Sequence, residues 1–213
     1  AFVLIPLFTA LGIELHEAMA VALLLNSLAM VFASYRYMRK KLILWKISIP
    51  LVLTTTIGAP IGANLSYQVN NDIIKICFIA FLLFAALMIF FYKSNKSVPE
   101  TELNPQLSLK KILLCGVVGL CVGFIGGLIG VGGGNMILPV LIALGIKPKE
   151  AIGTTALVVI FSSMSGFISH LGFGNLDILF IVITALASII GAVIGSWLMT
   201  DKLKPAVIKK ILG

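Results

Sequence analysis

Charge is scarce in this sequence. Charged residues occupy 11% of 213 positions, against about 25% in an ordinary soluble domain, while hydrophobic residues occupy 60% and mean hydropathy is +1.13. That shortage excludes a soluble globular fold. Several apolar runs reach the ~20 residues of a bilayer-crossing helix, which makes the chain a polytopic membrane protein. Acids are scarcer still. Glu14, Glu17, Asp72, Glu100, Glu102, Glu150, Asp177 and Asp201 all fall in loops or at helix ends. No carboxylate is placed mid-membrane to bind sodium or relay protons, and no intramembrane acid pair suggests a protease. Cys77, Cys115 and Cys121 lie inside apolar runs, where they act as small hydrophobes without metal or disulfide spacing. His16-Glu17 lacks the second histidine of a zinc-protease helix, and no GxxxxGK phosphate loop occurs. These absences predict a protein that is not an enzyme and carries no cofactor. The net charge of +8 would suggest nucleic acid in a soluble protein. Here the basic residues sit in loops and orient the chain in a lipid bilayer, so no nucleic-acid partner is expected.

What is present is a series of apolar segments, expected at about 1–11, 17–35, 46–66, 73–92, 110–130, 135–146, 150–170 and 177–199, with another starting at 205. The only substantial polar linker, 93–109, divides them into two repeats, 1–92 and 110–213. At an offset of 133, Ala10-Leu11-Gly12-Ile13 falls on Ala143-Leu144-Gly145-Ile146 and Pro6 on Pro139. Glu17-Ala18 falls on Glu150-Ala151, and Ile57-Gly58-Ala59-Pro60-Ile61-Gly62-Ala63 on Ile190-Gly191-Ala192-Val193-Ile194-Gly195-Ser196. The same offset carries the counterpart of 110–134 to before Ala1 and that of 81–92 to after Gly213. The first repeat is therefore expected to lack its opening helix, the second the end of its last one, and the chain to be part of a longer protein. Placing the basic 36–46 loop in the cytoplasm leaves Lys75 as the one basic residue of 16 outside. Loop 36–46 is then inside while its repeat partner, about 169–179, is outside. The expected fold is all-α, with two inverted-topology repeats, an architecture that transporters use with substrate sites at the repeat interface.

The densest local signal is Gly126-Gly127-Leu128-Ile129-Gly130-Val131-Gly132-Gly133-Gly134-Asn135. Glycine costs roughly 1 kcal/mol per residue in a helix relative to alanine, so the backbone should open here. From Asn135 to Ile146 an α-helix would reach only about 18 Å, too short for a ~30 Å hydrocarbon core. The segment is therefore expected to start within the membrane. A re-entrant hairpin and two short crossings both return the chain to the same side, and length favours the hairpin. Non-helical backbone at that depth must be buried in protein or line a polar cavity. The helix that follows points its N-terminus, with free N–H groups, at such a cavity, which is an anion-binding arrangement. Gly116, Gly119, Gly123 and Gly126 have helical spacing instead, as close-packing membrane helices do.

Candidate site residues are Gly132, Gly133, Gly134 and Asn135, together with hydroxyls on one face of segment 150–170: Thr155, Ser162, Ser165 and Ser169. Such hydroxyls either line a path or bond their own backbone. Asn26, Ser27 and Thr54 to Thr56 are comparable candidates in the first repeat. His16 and His170 are expected to be interfacial residues at the outer ends of their segments.

Gly126 to Gly134, followed by Pro139, Leu144-Gly145 and Ala151-Ile152-Gly153-Thr154-Thr155, resembles the second-repeat signature of the sulfite exporter TauE/SafE family. His170 and the Gly174-Asn175-Leu176-Asp177 turn resemble its pattern as well. The resemblance implies a multi-pass permease of a bacterial or archaeal inner membrane that moves sulfite, thiosulfate, an organosulfonate or another small anion. The sequence reading is thus a secondary transporter of a small inorganic or organosulfur anion, with alternating access between the repeats. A passive anion channel is the alternative.

Overall fold

The computed structural model describes residues 3–91, 109–170 and 178–202. All of the expected linker 93–109 except Leu109, the Gly174 turn and the segment from 205 lie outside the described residues. Eight α-helices are present among those described: α1 (Leu4–Ala10), α2 (Leu15–Arg39), α3 (Trp45–Ser66), α4 (Asn71–Phe91), α5 (Leu109–Leu128), α6 (Gly134–Ala143), α7 (Pro148–His170) and α8 (Ile178–Trp197). A π-helical turn, Leu198–Lys202, continues α8. The described residues contain no strand, and α2, α3, α7 and Ile181–Asp201 are each long and apolar enough to cross a membrane. The protein is a multi-pass, all-α membrane protein.

Helix starts follow the repeat. α2 and α7 begin at Leu15 and Pro148, and α3 and α8 at Trp45 and Ile178, the same offset of 133 in both cases. α2 and α7 pack antiparallel at the centre, with His16 at the start of one against His170 at the end of the other. They cross where they are repeat-equivalent: the Ser27 hydroxyl donates to the carbonyl of Ile160, its own counterpart, at 3.3 Å. The flanking contacts are reciprocal, with α3 packing on α7 and α8 packing on α2.

The short helices α1 and α6 end alike. Gly12 and Gly145 both take φ +87, and the next N–H reaches back five residues, Ile13 to Phe8 O at 3.0 Å and Ile146 to Leu141 O at 3.1 Å. This glycine-based C-terminal cap explains the repeated Ala-Leu-Gly-Ile sequence. A Cβ at Gly145 would meet nothing within 4 Å, so only the backbone conformation opposes a side chain. Gly145→Ala is expected to lower stability by about 1–2 kcal/mol. The thermal midpoint of the detergent-solubilised protein should fall while transport per folded molecule stays unchanged.

α3 meets α5 backbone to backbone. A Cβ on Gly58 would come within 2.6 Å of Leu120 O, one on Gly123 within 2.6 Å of Thr55 O, and one on Gly127 would overlap Ala59 O. The small-residue spacing of α3 and α5 is thus a packing device. The same spacing at Gly191 and Gly195 of α8 is not, since a Cβ there would meet nothing within 4 Å among the described residues. α3 also carries Pro50 and Pro60. Pro60 has no N–H for the carbonyl of Thr56 four residues earlier. Ser165 on α7 supplies the missing donor, its hydroxyl lying 2.8 Å from Thr56 O.

Candidate functional site

The glycine stretch forms a loop between α5 and α6. Gly130, Gly132 and Gly133 adopt φ of +71, +74 and +60, conformations that side-chain-bearing residues rarely hold. Space is as restrictive as torsion. A Cβ on Gly132 would overlap Ser163 Oγ and lie 3.1 Å from Asn26 Nδ2, and one on Gly134 would overlap Val159 Cγ2. The loop is therefore pressed against the α2–α7 crossing at the middle of both helices. α6, at ten residues, starts there and is only about 15 Å long.

A cavity of about 170 Å³ lies between this loop and α2, α6 and α7. A single water needs ~10–15 Å³ by this measure, so a small oxoanion fits easily. Its polar lining comes from Asn26 and Tyr37 of α2, Gly134 at the start of α6, and Thr155 of α7. Apolar residues such as Met30 and Leu138 complete it, and no carboxylate, lysine or arginine is among the lining residues.

Thr155 is the distinctive group. Hydroxyls in membrane helices usually bond the carbonyl three or four residues back. Thr54, Thr55 and Thr200 do so, at 2.8, 2.7 and 2.9 Å. Thr154 accepts from the N–H of Leu44 at 3.1 Å. Thr155 Oγ1, on a residue 8% exposed, has no hydrogen-bond partner among the described residues. Thr56 Oγ1 shares that condition but does not line the cavity. Asn26 donates through Nδ2 to Ser163 Oγ at 3.1 Å, which fixes the amide at the cavity wall.

The residues singled out in the sequence thus separate. Asn26, Gly134 and Thr155 meet at the cavity, and Gly132 and Gly133 form the loop behind it. Ser162 donates to Gly132 O at 3.2 Å and so holds the loop. Ser27 and Ser165 bridge helices, and Ser169 bonds Ser165 O at 3.3 Å. Asn135 is the second residue of α6, and its side chain lies outside the described residues. The expectation of open N–H groups across 132–135 is corrected in part. Gly132 N–H donates to Gly126 O at 3.2 Å, and Gly134 N–H to Gly132 O at 2.6 Å. A loop without helical bonds tightens on itself rather than leave buried donors unmet. Ser163 and Tyr37 were not singled out. The helical spacing of hydroxyls through Thr155 and Ser162 passes one residue beside Ser163, and a tyrosine near a basic loop reads as an interfacial anchor.

The histidines depart from expectation too. His170 is buried, at 2% exposure, with Nε2 3.4 Å from Gly127 O and Nδ1 2.5 Å from the Tyr67 hydroxyl. A carbonyl only accepts, so Nε2 carries the proton and Nδ1 accepts from Tyr67. Burial pushes the Tyr67 phenol up to about 12, which keeps it a donor. His16 stacks on Tyr67 with ring centroids 4.5 Å apart.

A glycine-rich loop inside a helical membrane bundle, next to a cavity, agrees with the comparison to known families. The family model for sulfite exporter TauE/SafE matches residues 1–213, the whole chain. The chain belongs to the TauE/SafE family. It is similar to the probable membrane transporter protein YunE of Bacillus subtilis (strain 168), at 27% identity over 75% of this chain and 61% of that protein. Sulfite exporter TauE/SafE family protein 2 of Arabidopsis thaliana is 28% identical over 79% of this chain and 34% of its own length. The probable membrane transporter protein MJ0441 of Methanocaldococcus jannaschii is 28% identical over 69% and 52%. The chain thus spans less than two thirds of the length of these TauE/SafE relatives. No solved structure matches it.

Proposed function

We propose that the protein is a secondary transporter of a small anion, an oxoanion such as sulfite or thiosulfate or an organosulfonate, and that the cavity at Asn26, Gly134 and Thr155 is its substrate site. The observation that carries this reading is the Thr155 hydroxyl, buried beside the first residue of α6 and without a hydrogen-bond partner among the described residues. A donor left unmet in a cavity of about 170 Å³ is available to a ligand. The positive end of α6 and the Asn26 amide favour negative charge, and the lining offers no carboxylate to a cation. Antiparallel α2 and α7, crossing at repeat-equivalent residues, support alternating access in which one repeat rocks against the other. The clustering of Arg36, Lys40 and Lys149 at one end of the bundle supports a cytoplasmic position for that end.

Flux in proteoliposomes tests the reading with sulfite, thiosulfate, sulfoacetate, sulfate and a monocarboxylate. Saturable flux of at least one sulfur anion, without cation flux, is expected. Flux of none of them, or equal flux of cations, would sink the anion reading, and unsaturable flux would make the protein a channel.

A further inference from the structure

Two side-chain clusters stand at opposite ends of the cavity-bearing helix pair, and two members of the first, His16 and Tyr67, fall on two members of the second, Lys149 and Thr200, at the repeat offset. At one end, His16 at the start of α2, Tyr67 after α3 and His170 at the end of α7 form the stacked and hydrogen-bonded group described above. His16 Nε2 also reaches Ser66 O at 3.3 Å, and His170 Nε2 reaches Gly127 O of α5. At the other end, Lys149 at the start of α7 donates to Thr200 O at 3.1 Å, and Arg36 Nε donates to Thr200 Oγ1 at 2.9 Å. Arg36 also pairs with Asp201, and Lys40 lies 2.9 Å from the same carboxylate. The offset of 133 carries His16 onto Lys149, Tyr67 onto Thr200 and Tyr37, next to Arg36, onto His170. Each cluster therefore ties the start of one central helix to the end of the other, through the residues that follow α3 or α8.

The chemistry at the two ends differs. The first cluster is aromatic, with Tyr67 donating to the His170 imidazole. The second is ionic, with one carboxylate holding two cations that would otherwise face an arriving anion. The cavity adjoins the ionic end directly, because Tyr37 lines it, while the glycine loop lies between the cavity and the imidazole end. We propose that these clusters are the two gates of the transport cycle, Arg36–Lys40–Asp201 with Lys149–Thr200 at the cytoplasmic mouth and His16–Tyr67–His170 at the outer mouth. This rests on the alternating-access reading above. Opening one gate frees the end of its helices to move while the repeat-equivalent gate stays closed, and substrate anions can replace the Asp201 carboxylate on Arg36 and Lys40.

The test reads which mouth is open, without substrate. In the full chain with Cys77, Cys115 and Cys121 replaced by alanine, Met30→Cys puts a single thiol on the cavity wall. Sealed vesicles of each orientation are then labelled with a membrane-impermeant maleimide. Asp201→Asn is expected to raise labelling from the cytoplasmic face several-fold and lower it from the outer face, and Asp201→Glu to restore the original pattern. Tyr67→Phe should shift labelling the opposite way. Should Asp201→Asn fail to fold, Lys40→Gln weakens the same gate from an exposed side chain. Shifts toward the same face in both variants, or no shift in either, would overturn the proposal. Because labelling needs no anion, gating can hold where the flux test fails, and fail where the flux test holds.

Discussion

Gly62→Leu is expected to abolish assembly of the helix bundle. Gly62 faces α5 so closely that a single Cβ would overlap the Phe124 carbonyl oxygen and stand 2.8 Å from both Phe124 C and Leu128 N. Overpacking a core costs about 1–3 kcal/mol when side chains can yield. Here the opposing atoms are backbone of α5, which cannot rotate away, so the cost should exceed that range. The alternative is to separate the helices, which gives up the contacts that hold them, since lipid offers no hydrophobic drive to bring them together. The yield of monodisperse protein in mild detergent should fall to background. Ile61→Leu, one residue earlier on the outward face, should leave the yield unchanged. Normal yield and thermal midpoint for Gly62→Leu would show that α3 and α5 are not packed as described.

Thr155→Val should separate function from stability. Valine matches threonine in shape and removes only the hydroxyl. That hydroxyl has no partner among the described residues, and burying such a group costs about 1–3 kcal/mol. The variant is therefore expected to be as stable as the parent or more so. A hydrogen bond to a charged ligand contributes about 1.5–3 kcal/mol. At 1.4 kcal/mol per tenfold, its loss should raise the half-saturating anion concentration roughly 10- to 100-fold. Thr155→Ser retains the donor and should stay close to the parent. Unchanged half-saturation in Thr155→Val would remove this residue from the substrate site.

Much of this was legible in the chain. The membrane class followed from the scarcity of charge, and the helix positions from uninterrupted apolar runs. The repeat was visible because Ala-Leu-Gly-Ile and Ile-Gly-Ala-x-Ile-Gly recur at one offset, and the helix starts obey the same number. Gly126 to Gly134 announced a break in the helix because no other residue tolerates φ near +70 so readily. Periodicity, however, reports only which side of a helix a residue occupies, not what that side meets. Thr155, Ser162 and Ser165 share a spacing. Yet one faces a cavity, one holds the glycine loop, and one replaces a donor that Pro60 removed from α3.

Sequence alone therefore determined the solvent in which this chain folds and the break between α5 and α6. These depend on composition and on local backbone preference, which neighbours in the chain already set. The tertiary structure decided which polar groups are satisfied and which are left for a ligand. It closed the N–H groups of Gly132 and Gly134 on nearby carbonyls, enclosed His170 with Tyr67, and left the Thr155 hydroxyl without a partner among the described residues. A hydrogen bond depends on tenths of an ångström between atoms from separate helices. Ser27 and Ile160 lie 133 residues apart in the chain, and only the folded bundle brings them together.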